Sequence, residues 1–436
     1  MRHDVNITAA QRAEQAHLPL LGRMLTSLIR KGQLTVIDSR GRRSAFVNSG
    51  TQPSVTVRLH EASLPLRIAL NPWLAFGEAY VDGTLTIESG DLRQLLHLVT
   101  VNMDALDQQW LQAARTWLAS GLRAFTRSND PRRSRRNVAH HYDLSGKLYD
   151  FFLDADHQYS CAYFGDGATT LEGAQAAKKR HIAAKLLLKP EQRVLDIGCG
   201  WGGLALELAR DHGVEVTGIT LSEKQLESAR QRADRAGLAD RVRFELKDYR
   251  SVNGCFDRIV SVGMFEHVGP RNYGDFFAKL RELLVPDGVA LLSSIGRMAP
   301  PTLPNAWIDK YIFPGGYIPS LSEVFAAVEP TGLWVTDVEI LRVHYADTLK
   351  QWFERFEARR GEAAALYDER FCRIWEFYLA ACEMLFRNGP LMVFHLQLAA
   401  ACDAVPLTRD YVTDFEHVHP LTAGCERHAD AAESVA

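Results

Sequence analysis

"VLDIGCGWGG", Val194 to Gly203, decides how this chain is read. "RVLDI" at its front has the make-up of a buried strand, and a helix is expected directly after it, from Gly203 to Asp211. A glycine-rich turn between strand and helix lets the backbone approach a ligand closely. Open α/β sheets bind ligands at this end of their strands. Gly198, Gly200 and Gly203 satisfy G-x-G-x-x-G, which alone is a weak signal. A dinucleotide site also needs an acidic residue at the end of the second strand, about 20 residues on, for the ribose hydroxyls. That strand, "EVTGIT", runs out through Ile219, Thr220, Leu221 and Ser222 with no carboxylate. Asp196 stands instead two residues before the first glycine.

The alternation continues outward. A helix is expected from Ser222 to Ala236, then strands at "RVRFEL" and "FDRIVSV". "NYGDFFAKLRELL" has amphipathic helical spacing, and "GVALLSSI" is a fifth strand. Strands alternating with helices of this length imply a parallel, doubly wound sheet. "WVTDVEILRVHY" reads as a late antiparallel strand pair, and Thr348 to Ala401 as helical. Residues 1–125 read as a small α+β domain, with a helix at "LLGRMLTSLI", a strand at "SVTVRLH" and a helix-like stretch from Leu92 to Leu122. An Arg-rich linker with Pro131 follows at 126–136, then a catalytic domain at 137–403 and a polar tail at 404–436.

The chain has 436 residues, 47% hydrophobic and 24% charged, which suits a globular protein of more than one domain. No apolar run approaches the roughly 20 residues of a membrane span, and "MRHDVNITAAQRAEQ" is too polar for a secretory signal. A cytoplasmic protein is expected. Seven scattered cysteines without a CxxC pair argue against a disulfide framework or a zinc site. His417, His419 and His428 make only a weak metal pattern, so no metal is expected. A formal charge of −3 does not suggest a nucleic-acid partner. "RSNDPRRSRRN" gathers Arg127, Arg132, Arg133, Arg135 and Arg136. It is either a solvated linker or a patch drawn to anionic lipid heads.

The frame Asp-x-Gly-x-Gly-x-Gly, carried by Asp196, Gly198, Gly200 and Gly202, resembles the cofactor turn of S-adenosylmethionine-dependent methyltransferases. Seven further motifs lie in order along the chain: "HHYDLSGKLYDFFLD", "YSCAYF", "GITLSEKQ", "RIVSVGMFEHVG", "WIDKYIFPGGYIPS", "HYADTL" and "FYLAACEMLFR". Together they resemble the cyclopropane-fatty-acyl-phospholipid synthase family, which includes the mycolic acid cyclopropane synthases, from about Asn137 to Ala401. "FGEAYVDGTLTIESGDL" looks like the extra N-terminal domain of longer bacterial members. The resemblance implies an α/β class I methyltransferase (Rossmann-like) doubly wound sheet with helical additions, plus a smaller N-terminal α+β domain.

It also implies a cofactor site for S-adenosylmethionine. Tyr159 and Ser160 would close over its methionine part. Leu195, Asp196, Gly198, Cys199, Gly200, Trp201, Gly202 and Gly203 would form the turn. Thr220, Leu221, Ser222 and Gln225 would take the ribose, and Asp248 and Tyr249 would flank the adenine. The implied reaction transfers a methylene group to the cis double bond of an unsaturated phospholipid acyl chain, through a carbocation deprotonated by bound bicarbonate. An alkene attacks only a strong electrophile held close to it. The cation then needs a dry tunnel, aromatic faces and a base. Tyr163, Phe164, Phe265, Tyr311, Phe313, Tyr317, Tyr345 and Trp352 are candidates for those faces, or for core packing.

By the same resemblance Cys161, Glu266, Ile295 and Tyr345 hold the bicarbonate, and Cys382 matches a cysteine marked as an active-site residue. Glu266 would accept the anion's O–H; otherwise it is a carboxylate at a helix N-terminus. Cys382 is equally readable as a buried helix cysteine, since the mechanism needs no thiolate. Family members usually carry histidine where this chain has Ser293, and His267 and His344 cannot be assumed to replace it. A methyl-branched or methylene product is therefore the alternative to the ring. A non-catalytic binding relative and a nicotinamide enzyme stand further off. The expected partner is a phospholipid bilayer surface, met at the inner face of the cell membrane through the Leu18 to Ile29 helix and the arginines, with a homodimer as a further option.

Overall fold

A computed structural model describes residues 17–47, 49–103, 146–165 and 167–421. The chain folds into two compact units, and neither is one stretch of sequence. The first takes in 1–126, 302–312 and 356–389; the second takes in 127–301, 313–355 and 390–436. This differs from the contiguous division at 125 and 137. The later segments join the first unit through specific partners within it. Arg93 donates two hydrogen bonds to the buried Glu383 carboxylate at 2.8 and 2.7 Å, and the Tyr80 hydroxyl donates to Glu376 at 2.9 Å. The expected linker at 126–136, with its arginine cluster, lies outside the described residues.

The first unit holds a four-stranded sheet in the order β2-β1-β3-β4, with β1 Lys31–Ile37, β2 Arg43–Val47, β3 Ser49–Leu59 and β4 Leu85–Ser89. The expected N-terminal helix is present as Pro19–Leu28. Its apolar stripe of Leu21, Leu25 and Leu28 packs into the core with Leu34, Val36, Val55 and Val57. The face expected to meet a bilayer is thus turned inward, and Leu20 is its exposed leucine. Of the helix expected over Leu92 to Leu122, Leu92–Thr100 is described, capped by Asp91 accepting from the Gln94 N–H at 2.8 Å; residues 104–122 lie outside the described set.

The second unit carries the seven-stranded sheet, ordered β10-β11-β9-β8-β5-β6-β7. Its strands are β5 Arg193–Ile197, β6 Glu215–Thr220, β7 Val242–Leu246, β8 Phe256–Val262, β9 Leu284–Arg297, β10 Trp334–Ile340 and β11 Leu391–Ala399. β5 to β9 are parallel, and β11 runs antiparallel to both of its neighbours, β9 and β10. Helices cover both faces, so alternate strand residues bury in different cores. Val194, Val216, Val260 and Leu291 meet helices Leu171–Leu186, Gly203–His212 and Glu223–Arg235. Leu195, Ile259, Leu292 and Phe394 meet helices Tyr273–Leu283 and Leu321–Val328. The chain reverses direction across the sheet at β5, between β8 and β6. Its carboxyl end is therefore the crevice where ligands bind such sheets.

Two expectations change near the C-terminus. "WVTDVEILRVHY" gives one strand, β10, and a turn into helix His344–Ala358. β10's antiparallel partner is β11, in a stretch expected to be helical. β11 is buried along nearly its whole length; it opens on the apolar run "LMVF", which is too short for periodicity to tell from a buried helix, and only then do His395 and Gln397 alternate with apolar residues. The tail also docks in part: helix Asp410–Val418 presents Glu416 to His181 and Tyr411 to Gln397. Residues 422–436 lie outside the described set.

Candidate active site

The glycine turn sits at the carboxyl end of β5. Gly198, Gly200 and Gly202 have φ of +88°, +56° and +83°. At Gly202 a Cβ would also meet the Phe244 ring at 2.6 Å, so this turn closes only with glycine. Nothing lies within 4 Å of a Cβ built on Gly200, which leaves its backbone facing open space.

That space is a cleft lined by Tyr159, Ser160, Asp196, Gly198, Cys199, Gly200, Trp201, Thr220, Leu221, Gln225, Asp248 and Tyr249. Twelve of the sixteen residues expected at the cofactor therefore converge. The other four do not line it, for visible reasons. Leu195 points into the opposite core. Gly202 lies against Phe244, and Gly203 faces the Asp156 and Gln158 side chains. Ser222 caps a helix, accepting from the Gln225 N–H at 3.3 Å.

The cleft fits a cofactor with polar ends and a flat ring. Asp196 is fully buried and its Oδ2 has no hydrogen-bond partner; burial pushes its carboxyl up to about 7, against an opposing pull from Lys178. The Tyr249 hydroxyl is also unpartnered. Asp248 is occupied: it accepts from Arg250 Nε at 2.8 Å and Nη2 at 2.6 Å.

Sequence reasoning missed Lys178, which lines the same cleft. Its ammonium donates to Gln158 Oε1 at 2.6 Å and Ser160 Oγ at 2.9 Å, and burial lowers its pKa to about 8. Gln175, on the same helix, donates to the Gln158 and Ser160 carbonyls at 3.1 and 3.0 Å. Thr348 accepts from the Ala162 N–H at 3.0 Å. The segment over the cleft is thus held from two helices. The signal was available: lysine and glutamine three residues apart in an otherwise small-residue helix stretch, "GAQAAKKR".

Glu266 follows the end of β8. Val262 pairs with Ser293, and the Gly263 N–H donates to the Ser293 carbonyl at 2.9 Å. There β8 stops and the chain turns through Phe265–His267. Phe265 anchors the turn in the core, its ring 4.2 Å from that of Tyr273. The next inward N–H along that edge of β9 is Ile295's, and Glu266 Oε1 accepts it at 2.6 Å. Glu266 therefore fills a ladder position that β8 has vacated. Its Oε2 is buried without a partner, and burial pushes the carboxyl up to about 7. Ile295 does not offer a free amide to an anion, because Glu266 already accepts that N–H.

None of the six catalytic candidates lines the cofactor cleft among the described residues. Tyr345 is joined to it by rings: Tyr345 lies edge-on to Trp352 at 5.8 Å, Trp352 is 5.2 Å from Tyr159, and Tyr149 links Tyr159 to Trp201 at 5.5 and 4.9 Å. Phe152 completes this aromatic wall. Three other candidate faces are packing. Phe265 lies in the core, Tyr317 donates to Glu323, and Tyr311 donates to Glu78 in the first unit. Tyr163 is stacked between His181 and His344 at 4.3 and 4.9 Å.

Neither cysteine is a thiolate. Burial pushes the Cys161 thiol far up, and Sγ donates to the Ala162 carbonyl at 3.3 Å. Burial pushes Cys382 up to about 12, and it belongs to the first unit. His417 and His419 end the last described helix, while His428 lies outside the described residues. Ligating atoms of His181, Glu339 and His395 come within 4.8 Å of one another, but Lys185 donates to that same Glu339 oxygen at 2.5 Å, so its negative charge is already paired.

A parallel doubly wound sheet with a glycine-turn cleft and an Asp196 carboxyl at its switch point defines an S-adenosylmethionine-dependent methyltransferase of class I. Comparison with known proteins narrows this. Residues 129–396 match the family described as mycolic acid cyclopropane synthetase, and the chain belongs to that family. It is 38% identical over 354 residues to a probable fatty acid methyltransferase of Pseudomonas putida, covering 78% of this chain and 86% of that protein. It is 39% identical over 354 residues to the cyclopropane-fatty-acyl-phospholipid synthase of Escherichia coli (strain K12), covering 81% and 90%. Among solved structures it resembles mycolic acid cyclopropane synthase CmaA1 complexed with SAH and CTAB, with 36% identity and a TM-score of 0.58 over 61% of this chain and 98% of that one. No described helix is long and apolar enough to cross a membrane.

Proposed function

We propose that this chain transfers a methylene group from S-adenosylmethionine to the cis double bond of an unsaturated acyl chain in a membrane phospholipid, forming a cyclopropane. The observation that carries the reading is Glu266: a buried carboxylate with one oxygen fixed by the Ile295 N–H and the other unpartnered.

Bound S-adenosylmethionine supplies an electrophilic methyl group. Asp196, Tyr249 and the glycine turn hold it, and Lys178 fixes the Ser160 segment over it. The Tyr149, Phe152, Tyr159, Trp352 and Tyr345 rings offer faces to a cationic chain and exclude water. A bicarbonate at Glu266 would accept the departing proton. The unpartnered Glu266 Oε2 fits it as an acceptor for the anion's O–H, while Ile295 serves by orienting Glu266.

A methyl-branched or methylene product is the second reading. It is favoured by serine at Ser293 and by the likeness to a fatty acid methyltransferase. The assay supplies vesicles of anionic, monounsaturated phospholipid and follows the acyl chains by mass spectrometry. A gain of one CH2 with loss of alkene reactivity is expected. Retained alkene reactivity favours the second reading, and absence of S-adenosylhomocysteine release overturns both. The substrate lies in a bilayer, so the chain meets a membrane surface. The cluster from Arg127 to Arg136 suits an anionic one at the cytoplasmic face. Unchanged vesicle binding after neutralising Arg132, Arg133, Arg135 and Arg136 would remove that assignment.

A further inference from the structure

β11 carries two polar side chains, His395 and Gln397, on the face covered by helix Leu171–Leu186. Gln397 is fully used. Its amide donates to the Lys185 carbonyl at 2.6 Å and the Tyr411 hydroxyl at 2.8 Å, and its oxygen accepts from Thr336 at 2.8 Å. His395 is the opposite case. It is 1% exposed, its Nδ1 has no partner, and its ring makes no hydrogen bond among the described residues.

The groups packed over it cannot supply a bond. His181, whose ring centroid is 5.7 Å away, spends both nitrogens on Glu339 and Glu416 at 2.7 Å. The Lys185 ammonium is taken by Asp337 and Glu339. Glu339, the register partner of His395 on β10, has its Oε2 spent on His181 and Lys185, which leaves the β9 side. His395 is the register partner of Ser293 on β9, so their side chains stand side by side on one face. Ser293 is buried, and its hydroxyl makes no hydrogen bond among the described residues. Ser293 is in turn the register partner of Val262, which lines the cofactor cleft, and Ile295, which fixes Glu266, lies two residues along β9. An unmade bond on a buried polar group is costly, and His395 Nδ1 beside the Ser293 hydroxyl marks a place for a small polar ligand.

We propose that Ser293 and His395 together form the second edge of the anion site at Glu266, His395 supplying a ring N–H to the oxyanion from a strand on which sequence reading found no ligand. The assignment rests on the bicarbonate reading above and goes beyond it. The hydrogen-bonding role is divided between two strands, with serine on β9 leaving room for the imidazole of β11. Burial holds His395 well below its ordinary pKa, so the ring is neutral and keeps one N–H to donate.

The test uses the full chain loaded with S-adenosylhomocysteine and titrated with 13C-labelled bicarbonate. Carbon NMR reads the affinity, and nitrogen NMR of labelled histidine reads the His395 ring. In the natural chain the His395 nitrogen shifts should move as bicarbonate saturates. His395→Gln should weaken bicarbonate binding about tenfold or more, as expected for losing a hydrogen bond to a charged group. Ser293→Ala should weaken it less, and His395→Gln combined with Ser293→His should recover most of the loss. If the natural chain binds bicarbonate while its His395 signals stay still, the proposal is overturned and the bicarbonate reading survives. That spectrum decides even if His395→Gln does not fold. Should the natural chain bind no bicarbonate, both fall together.

Discussion

The two halves of the large sheet place their polar groups in different ways. On the β5-β6-β7 side the cleft is built mainly from local pieces: a turn of six residues, a strand end and a helix cap, each complete within a short stretch. On the β8-β9-β11 side the polar groups come from Cys161, Glu266, Ser293, Tyr345 and His395, spread over more than half the chain. The first half binds through backbone shape, which glycines announce. The second, on the bicarbonate reading proposed above, would work through isolated side chains that only the fold could bring together. A cofactor held by backbone tolerates few sequences at its turn. An anion held by side chains could shift a donor from one strand to the next, as we propose for Ser293 and His395.

The largest expected effect separates the halves outright. Glu266→Gln should lower turnover by about a thousandfold, in the range for removing a group on which proton transfer depends, while S-adenosylhomocysteine affinity stays unchanged. Calorimetric titration and product analysis would check the pair of outcomes, and loss of cofactor affinity would erase the distinction between halves. The same residue sets a pH dependence. Its carboxyl sits near 7 in the fold, so the ionised form is lost, and turnover should fall, as pH drops below about 7. Stability runs the other way. A folded pKa above the unfolded value means that the carboxyl favours the fold most at low pH, and that this advantage is lost as pH rises from about 4 to about 7. At pH 8 Glu266→Gln should therefore be the more stable chain, by about 3 kcal/mol as an order of magnitude. Thermal melts at pH 5 and pH 8 would show it.

This division also explains what the sequence disclosed. β5 to β9 and their helices were legible because each strand or helix has its own period and its own turn residues. Twelve of the expected cofactor residues line the cleft: Asp196, Gly198, Cys199, Gly200 and Trp201 belong to the glycine motif, while Tyr159, Ser160, Thr220, Leu221, Gln225, Asp248 and Tyr249 were placed by the family resemblance. β11 was not read as a strand: it opens on a short apolar run, its alternation from Phe394 to Leu398 is only five residues long, and with it went His395. The N-terminal helix, expected to meet a bilayer, packs its apolar stripe on the unit's own sheet, and an apolar stripe in a sequence records only that something covers it. Lys178 lay in plain view, yet a lysine on a helix is usually solvated. Only the enclosure of its ammonium by Gln158 and Ser160 marks it out.

Lys178 sharpens the comparison at intermediate strength. Lys178→Met removes the donor that holds Gln158 and Ser160, and leaves Asp196 without its nearby positive charge. Affinity for the cofactor should fall about tenfold, with turnover at saturating cofactor changed far less, since the chain-side groups are untouched. Burial lowers the ammonium to about pH 8, so cofactor affinity in the natural chain should decline as pH rises through about 8. The methionine variant should lack that decline. An equal fall in kcat would instead place Lys178 in the chemical step.

The smallest effect is expected at Cys382, where motif and physics disagree. Its position in "LAACEML" matches a family cysteine marked as an active-site residue, but on helix Glu369–Asn388 burial raises its thiol. It is pushed up to about 12, so the thiol is the form present at neutral pH, and a thiol is a poor nucleophile. Cys382→Ala should therefore keep turnover within about twofold and cost only the packing of one small side chain, about 1 kcal/mol. Alkylation of the natural chain with iodoacetamide tests the same point without substitution. Rapid loss of activity traced to Cys382 at pH 7 would show that a low-pKa thiol exists there, and would return that helix to the chemistry.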